Sequence, residues 1–138
     1  MGVRGPWIGT ALLLLLAACS TIPQRAKEEA TQQQYLQYAG APIDHFTYLG
    51  RYDNWTALNE TQLVVWTNAN DAYLLTVREP CINLRFTNHV GLSSTAGTVS
   101  NQLDSVIVDR DRCQITEIRP VDYRRMRADA GQEHAPAQ

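Results

Sequence analysis

The sequence predicts a mainly β domain: a small antiparallel meander curled into a roll or partly open barrel behind a short N-terminal helix, with α+β as the alternative. Two observations carry this. Between Ile43 and Pro120 the chain breaks into six to seven short apolar runs at spacings of about ten residues, bounded by turn formers. No strand-like run alternates with a helical one, so the rhythm of a parallel sheet is missing.

Taken in order, "QRAKEEATQQQYLQY" at 24–38 has good helix formers and neither Gly nor Pro. Only Tyr35, Leu36 and Tyr38 are bulky and apolar, too little to dock a helix firmly, so the segment reads as a polar spacer with at most its last turn packed on the domain. Ala39-Gly40-Ala41-Pro42 ends it. "IDHFTYL" is an extended or mixed segment, and "NWTAL" and "TQLVVWT" are strands separated by Asn59-Glu60. "NAND" at 68–71 turns the chain into "AYLLTVR", which makes the best hairpin in the sequence. "CINLRFT" alternates, with Ile82, Leu84 and Phe86 on one side. "HVGLSST" and "LDSVIVD" follow, separated by a flexible 95–100 loop; "RDR" then turns the chain into "CQITEI", which Pro120 ends. "YRRMRADAGQEHAPAQ" reads as a frayed helical turn and a disordered tail.

The first 20 residues carry a different signal. Arg4 precedes the apolar run Ala11–Leu16, and Ala17-Ala18 supply small residues before a cleavage point. From Trp7 to Cys19 a helix would reach only about 20 Å, short of the roughly 30 Å of a bilayer core. This is an export signal rather than a spanning helix. Leu16-Ala17-Ala18-Cys19 resembles the lipobox of bacterial lipoproteins. That resemblance implies cleavage after residue 18 and acylation of Cys19, with palmitate among the acyl groups. Two or more acyl chains hold a protein firmly at a membrane. Ser20, where Asp would resemble inner-membrane retention, implies the inner leaflet of the outer membrane, facing the periplasm.

Cleavage leaves 11 basic against 14 acidic residues, a formal charge of −3. Such a chain has no broad basic footprint, which with export argues against a nucleic-acid partner. With Cys19 on lipid, Cys81 and Cys113 remain, and an oxidising periplasm favours their pairing. Closing that loop of about 32 residues is worth roughly 3–4 kcal/mol in the chain-entropy model. The expected organisation is a cleaved signal at 1–18, a lipidated cysteine and polar tether at 19–41, a β domain at 42–122, and a basic then disordered tail at 123–138.

Asn54-Trp55 with Leu58, Tyr73-Leu74-Leu75, Cys81-x-x-Leu84, Asp104 and Cys113-x-Ile115-x-x-Ile118 resemble a family of small uncharacterised lipoproteins of Gram-negative bacteria. The resemblance covers roughly residues 42–122. It implies a domain extent and the disulfide, but no activity.

Asp104, Asp109 and Asp111 offer oxygen atoms, but Arg110 and Arg112 interleave and a Ca²⁺ loop needs more ligands, so a solvated turn is expected and no metal is assigned. His45, His89 and His134 are scattered. His89 lies near Ser93 and Ser94 in sequence, yet no nucleophile motif accompanies them, so no catalytic residue is assigned and the chain reads as a non-enzyme without a cofactor. Trp55, Trp66, Tyr48, Tyr52 and Tyr73 belong to a core first and a ligand face second, with Trp55 and Tyr52 as the candidate ligand face. Arg124, Arg125 and Arg127 form a basic cluster expected to be a solvated terminus. The functional expectation is a lipid-anchored envelope lipoprotein, a structural or interaction accessory module with an envelope protein or cell-wall partner. The alternative is a small-ligand or glycan binder.

Overall fold

The computed structural model describes Gly2, Gly5 and residues 23–133; Cys19, the leader around it and His134 lie outside the described residues. The order of elements is helix α1 (Gln24–Tyr38), strands β1 (His45–Thr47), β2 (Asn54–Ala57), β3 (Gln62–Trp66), β4 (Ala72–Val77), β5 (Val90–Leu92), β6 (Thr98–Ser100), β7 (Ser105–Val108) and β8 (Asp111–Val121), and helix α2 (Tyr123–Glu133). The expected mainly β fold is present: a curled, half-barrel antiparallel sheet ordered β2-β3-β4-β8-β7-β5, with β1 and β6 paired separately. After β4 the chain leaves the sheet and returns at its far edge, so β8 rather than β5 lies beside β4.

Local chemistry sets the hairpins. Asn59 Oδ1 accepts from the backbone N–H groups of Thr61 (2.8 Å) and Gln62 (2.9 Å), closing the β2–β3 turn. Asn68 Oδ1 does the same for Asn70 and Asp71 between β3 and β4. The 95–100 stretch is ordered rather than a flexible loop. Ala96 (φ 52°) and Gly97 (φ 76°) make a two-residue turn with both central residues left-handed, and Thr95 and Thr98 exchange backbone hydrogen bonds across it.

The concave face of the sheet is covered by β1 and β6. Leu63, Val65, Leu75, Val106, Val108, Ile115 and Ile118 meet Phe46, Tyr48 and Val99 there. Ile115 and Ile118 are three residues apart, so a regular strand would turn them to opposite faces. A bulge resolves this: Thr76 pairs with Glu117 but Val77 with Ile115, leaving Thr116 as the extra residue, and both isoleucines face the core.

The opposite face carries the helices. Val64, Trp66, Ala72, Leu74 and Val121 pack under Tyr35 of α1 and Met126 of α2. Covered on both faces, β3 needs an unbroken apolar run, which is why "LVVW" does not alternate. Tyr35 (6.0 Å between ring centroids) and Tyr123 (5.4 Å) both approach Trp66 edge-on.

Four further local expectations are corrected. Residues 81–87 are a compact turn, not a strand. Asn83 takes a left-handed conformation (φ 71°), and its carbonyl accepts from Phe86 and Thr87, both at 2.9 Å. The alternation is coincidental, for Leu84 is buried while Ile82 and Phe86 are 62% and 77% exposed.

Pro120 does not end β8. Ile118 and Pro120 turn their carbonyls to Ile43 N and Gly40 N (2.8 and 2.7 Å), away from β4. A strand residue's N and C=O face the same side, so the N–H that proline lacks is not missed by the ladder.

Residues 123–133 form a docked helix rather than a frayed turn. Asp122 Oδ1 accepts from Arg125 N at 3.1 Å, an N-cap, and Met126 is buried on the sheet.

Helix α1 is docked along its length rather than a loose spacer. Glu28 pairs with Arg85, Gln32 Nε2 donates to Gln62 Oε1 (2.6 Å), Tyr35 packs on Trp66, and Tyr38 OH donates to Asp129 (2.7 Å). That stripe has helical spacing but is half polar, so apolar pattern alone misses it.

Trp66 joins both helices to the sheet, and its removal tests that role. Trp66→Ala is expected to cost about 3–5 kcal/mol in urea unfolding followed by circular dichroism. Trp66→Phe should cost less than half of that, because it keeps the ring contacts and removes an indole N–H that is buried with no partner among the described residues. Equal losses would show that the edge-on contacts contribute little.

Candidate functional site

The structure separates most of the residues that the sequence singled out. Cys81 and Cys113 are joined by a disulfide, with Cα atoms 5.5 Å apart. It ties the 79–89 loop to β8, two stretches that no strand pairing connects.

The aromatic group divides between the two faces of the sheet. Trp66 is on the helix side, Tyr48 is buried on the concave side, and Tyr73 stacks on Phe46 with centroids 4.2 Å apart. Tyr52 and Trp55 are half-buried against the concave core, and the Tyr52 hydroxyl donates to the Val90 carbonyl. Burial beside Trp66 pushes the Tyr35 phenol up to about 12.

The three aspartates part company as well. Asp109 and Asp111 are exposed at the β7–β8 turn, but Asp104 is 2% exposed, which corrects its expected place in a solvated cluster. Its carboxylate accepts from Ser93 Oγ (2.9 Å), Ser100 N (2.9 Å) and Thr95 Oγ1 (3.4 Å). Ser93 Oγ in turn accepts from Ser105 N at 2.8 Å. The Ser93 hydroxyl proton is therefore directed to a carboxylate, while His89 is exposed in the turn before β5. This network joins the ends of β5, β6 and β7, a bracing role that residue spacing could not reveal. Among the described residues no three His, Cys, Asp or Glu side chains converge to hold a metal ion.

The feature that sequence reasoning missed lies at the end of the sheet where α1 begins. A groove of about 370 Å³ runs between the β2–β3 turn and the 79–86 loop, lined by Glu60, Pro80, Cys81, Ile82, Leu84 and Phe86. Arg85 sits at its rim, bonded to Glu28 of α1 and 3.5 Å from Glu60, with its guanidinium 5.7 Å from the Phe86 ring centre. The Arg85 hydrogen bond is the main cause that holds the Glu28 carboxyl below its usual range. A clue in sequence was available: Pro80 and Asn83 within four residues suit a turn better than a strand.

A family profile matches residues 4–137, nearly the whole chain. The chain belongs to the family of unknown function DUF6491. The resemblance to an uncharacterised family thus holds, and the DUF6491 match extends on both sides of the 42–122 range that the resemblance covered. No curated protein and no solved structure shows significant similarity to it.

The network at Asp104 and the ion pair at Glu28 can each be tested. Asp104→Ala leaves the Ser93 hydroxyl and the Ser100 N–H without their acceptor, and should cost about 3 kcal/mol in urea unfolding. A loss below about 1 kcal/mol would mean that water replaces the carboxylate. A carboxyl with a lowered folded pKa contributes above its unfolded value and loses that contribution as pH falls through the folded one. The wild type should therefore melt above Glu28→Gln at neutral pH, with the gap closing in acid below the usual carboxylate range. A gap that persists there would assign the effect to packing.

Proposed function

We propose that this DUF6491 protein is a lipid-anchored envelope lipoprotein, held at the inner leaflet of the outer membrane through acylated Cys19 and facing the periplasm as a structural or interaction accessory module. The observation that carries this reading is Leu16-Ala17-Ala18-Cys19 behind a basic residue and a short apolar run, only five positions before a helix docked on the domain. The Cys81–Cys113 disulfide fits an oxidising compartment. The family match begins at residue 4, so the residues read here as a leader fall within the same matched stretch as the domain.

The docked helix gives the reading a mechanical content. A free tether would let the domain wander, whereas here only residues 20–23 separate the anchor from the first turn of α1. The module is presented in a restricted orientation, with the 79–86 loop and the β2–β3 turn at the anchored end.

In a Gram-negative host, labelled palmitate should enter the wild-type chain, which should sediment with outer membranes. Cys19→Ser should lose the label completely. Equal labelling of the two chains, or a wild-type chain recovered without lipid, would overturn the reading.

A further inference from the structure

The 79–88 loop exposes two large apolar side chains. Ile82 and Phe86 are 62% and 77% exposed and line the same groove, so both present themselves on one side of the molecule. Single exposed apolar residues need no explanation, but two large ones on a braced loop do. The bracing is specific: Cys81 is tied to β8, Leu84 is buried, and Arg85 is held by Glu28 and Glu60.

What covers them follows from where the chain leads. Glu28, the partner of Arg85, lies in the second turn of α1, about 6 Å along the helix from Gln24. From Gln24 back to Cys19 the chain can span at most about 18 Å. Glu28 is therefore confined to within roughly 24 Å of the acylated residue and the loop, one Glu–Arg side-chain pair further on, to within roughly 35 Å, at the end of the domain nearest it. Resting on the lipoprotein reading, we propose that Ile82 and Phe86 insert into the interface of the same bilayer that holds the lipid, forming a second contact beside the anchor.

The charges around the loop select the kind of contact. Arg25, Lys27, Arg78 and Arg85 are matched by Glu28, Glu29, Glu60 and Glu79, which leaves no net positive charge to seek anionic headgroups. The contact is apolar insertion into a largely zwitterionic surface, insensitive to salt. Tethering makes a weak insertion effective, because the lipid keeps the loop at high local concentration near the surface.

The test uses the full acylated chain, reconstituted into phosphatidylethanolamine–phosphatidylcholine vesicles with and without lipids brominated high on their acyl chains. Phe86→Trp places an indole on the loop, and its signal is read as the difference from the wild type. Ala69→Trp places one on the exposed β3–β4 turn, at the other end of β4 and about 20 Å away. The Phe86→Trp indole should emit at shorter wavelength in vesicles and lose at least half its intensity to brominated lipid, equally in low and high salt. The Ala69→Trp indole should lose less than a tenth. Adding Ile82→Ser to Phe86→Trp should reduce the quenching severalfold. Quenching at position 86 no greater than at position 69, in a chain shown to carry acylated Cys19, overturns the insertion and leaves the lipoprotein reading intact. A blue shift without lipid quenching means that protein, not lipid, covers the loop, and overturns it equally. A chain without acylation overturns both.

Discussion

β8 pairs with β4 along Ile115–Val121 and with β7 along Asp111–Gln114, and the bulge at Thr116 lets both stretches turn their apolar side chains to one core. Neither flank would survive a slip. Shifting β8 by one residue would expose Ile115 and Ile118, each worth about 1.5–3 kcal/mol when fully buried. It would also carry Cys113 to the wrong face for Cys81. Register, core and disulfide are thus one constraint, and the curl of the sheet follows from it. The bulge raises the local twist at the point where the partner of β8 changes.

The second face of the sheet explains why so short a chain can be stable. Left open, that face would put Val64, Leu74 and Val121 in water. Two polar helices cover them by lending few apolar side chains each: Tyr35 and Leu36 from one, Tyr123 and Met126 from the other. Polar contacts do the rest. Tyr38 bonds Asp129 between the helices, and Arg119 reaches the carbonyls of Ala39 and Gly40 at 3.3 and 2.8 Å, fixing the exit of α1 to the end of β8. A helix with a polar outer surface and a half-polar inner stripe stays soluble yet has one seat.

This division also accounts for what the sequence could reveal. The β2–β3 and β3–β4 hairpins are legible because Asn59 and Asn68 set their turns locally, with β-branched runs on either side. The N-terminal helix is legible from composition and its docking is not, since Glu28, Gln32 and Tyr38 bond to residues that only the fold brings near. α2 is legible only as a frayed turn because Tyr123 and Met126 are few among arginines, although Asp122 in front of them is an N-cap signal. The 81–87 turn misleads for the opposite reason: three apolar residues at period 2 imitate a strand when one is core and two are surface. Asp104 belongs to a third kind, a buried carboxylate whose donors come from separate stretches of chain, with no pattern along the sequence to announce it.

The candidate sites differ in how much freedom the fold leaves them. Tyr52 and Trp55 are half-buried and partly committed, through the Tyr52 hydroxyl and through packing on the concave core. Ser93 is committed to Asp104. Ile82 and Phe86 have large side chains that the core does not use, on a backbone held in place by groups that it does use. The disulfide fixes one end of the loop to β8, Leu84 fixes its middle, and Arg85 fixes it to α1, the element nearest the lipobox-like residues. An exposed apolar pair on a slack loop would cost solubility without gaining position. On this braced loop its direction is set relative to α1, so docking α1 and exposing Phe86 are parts of one arrangement.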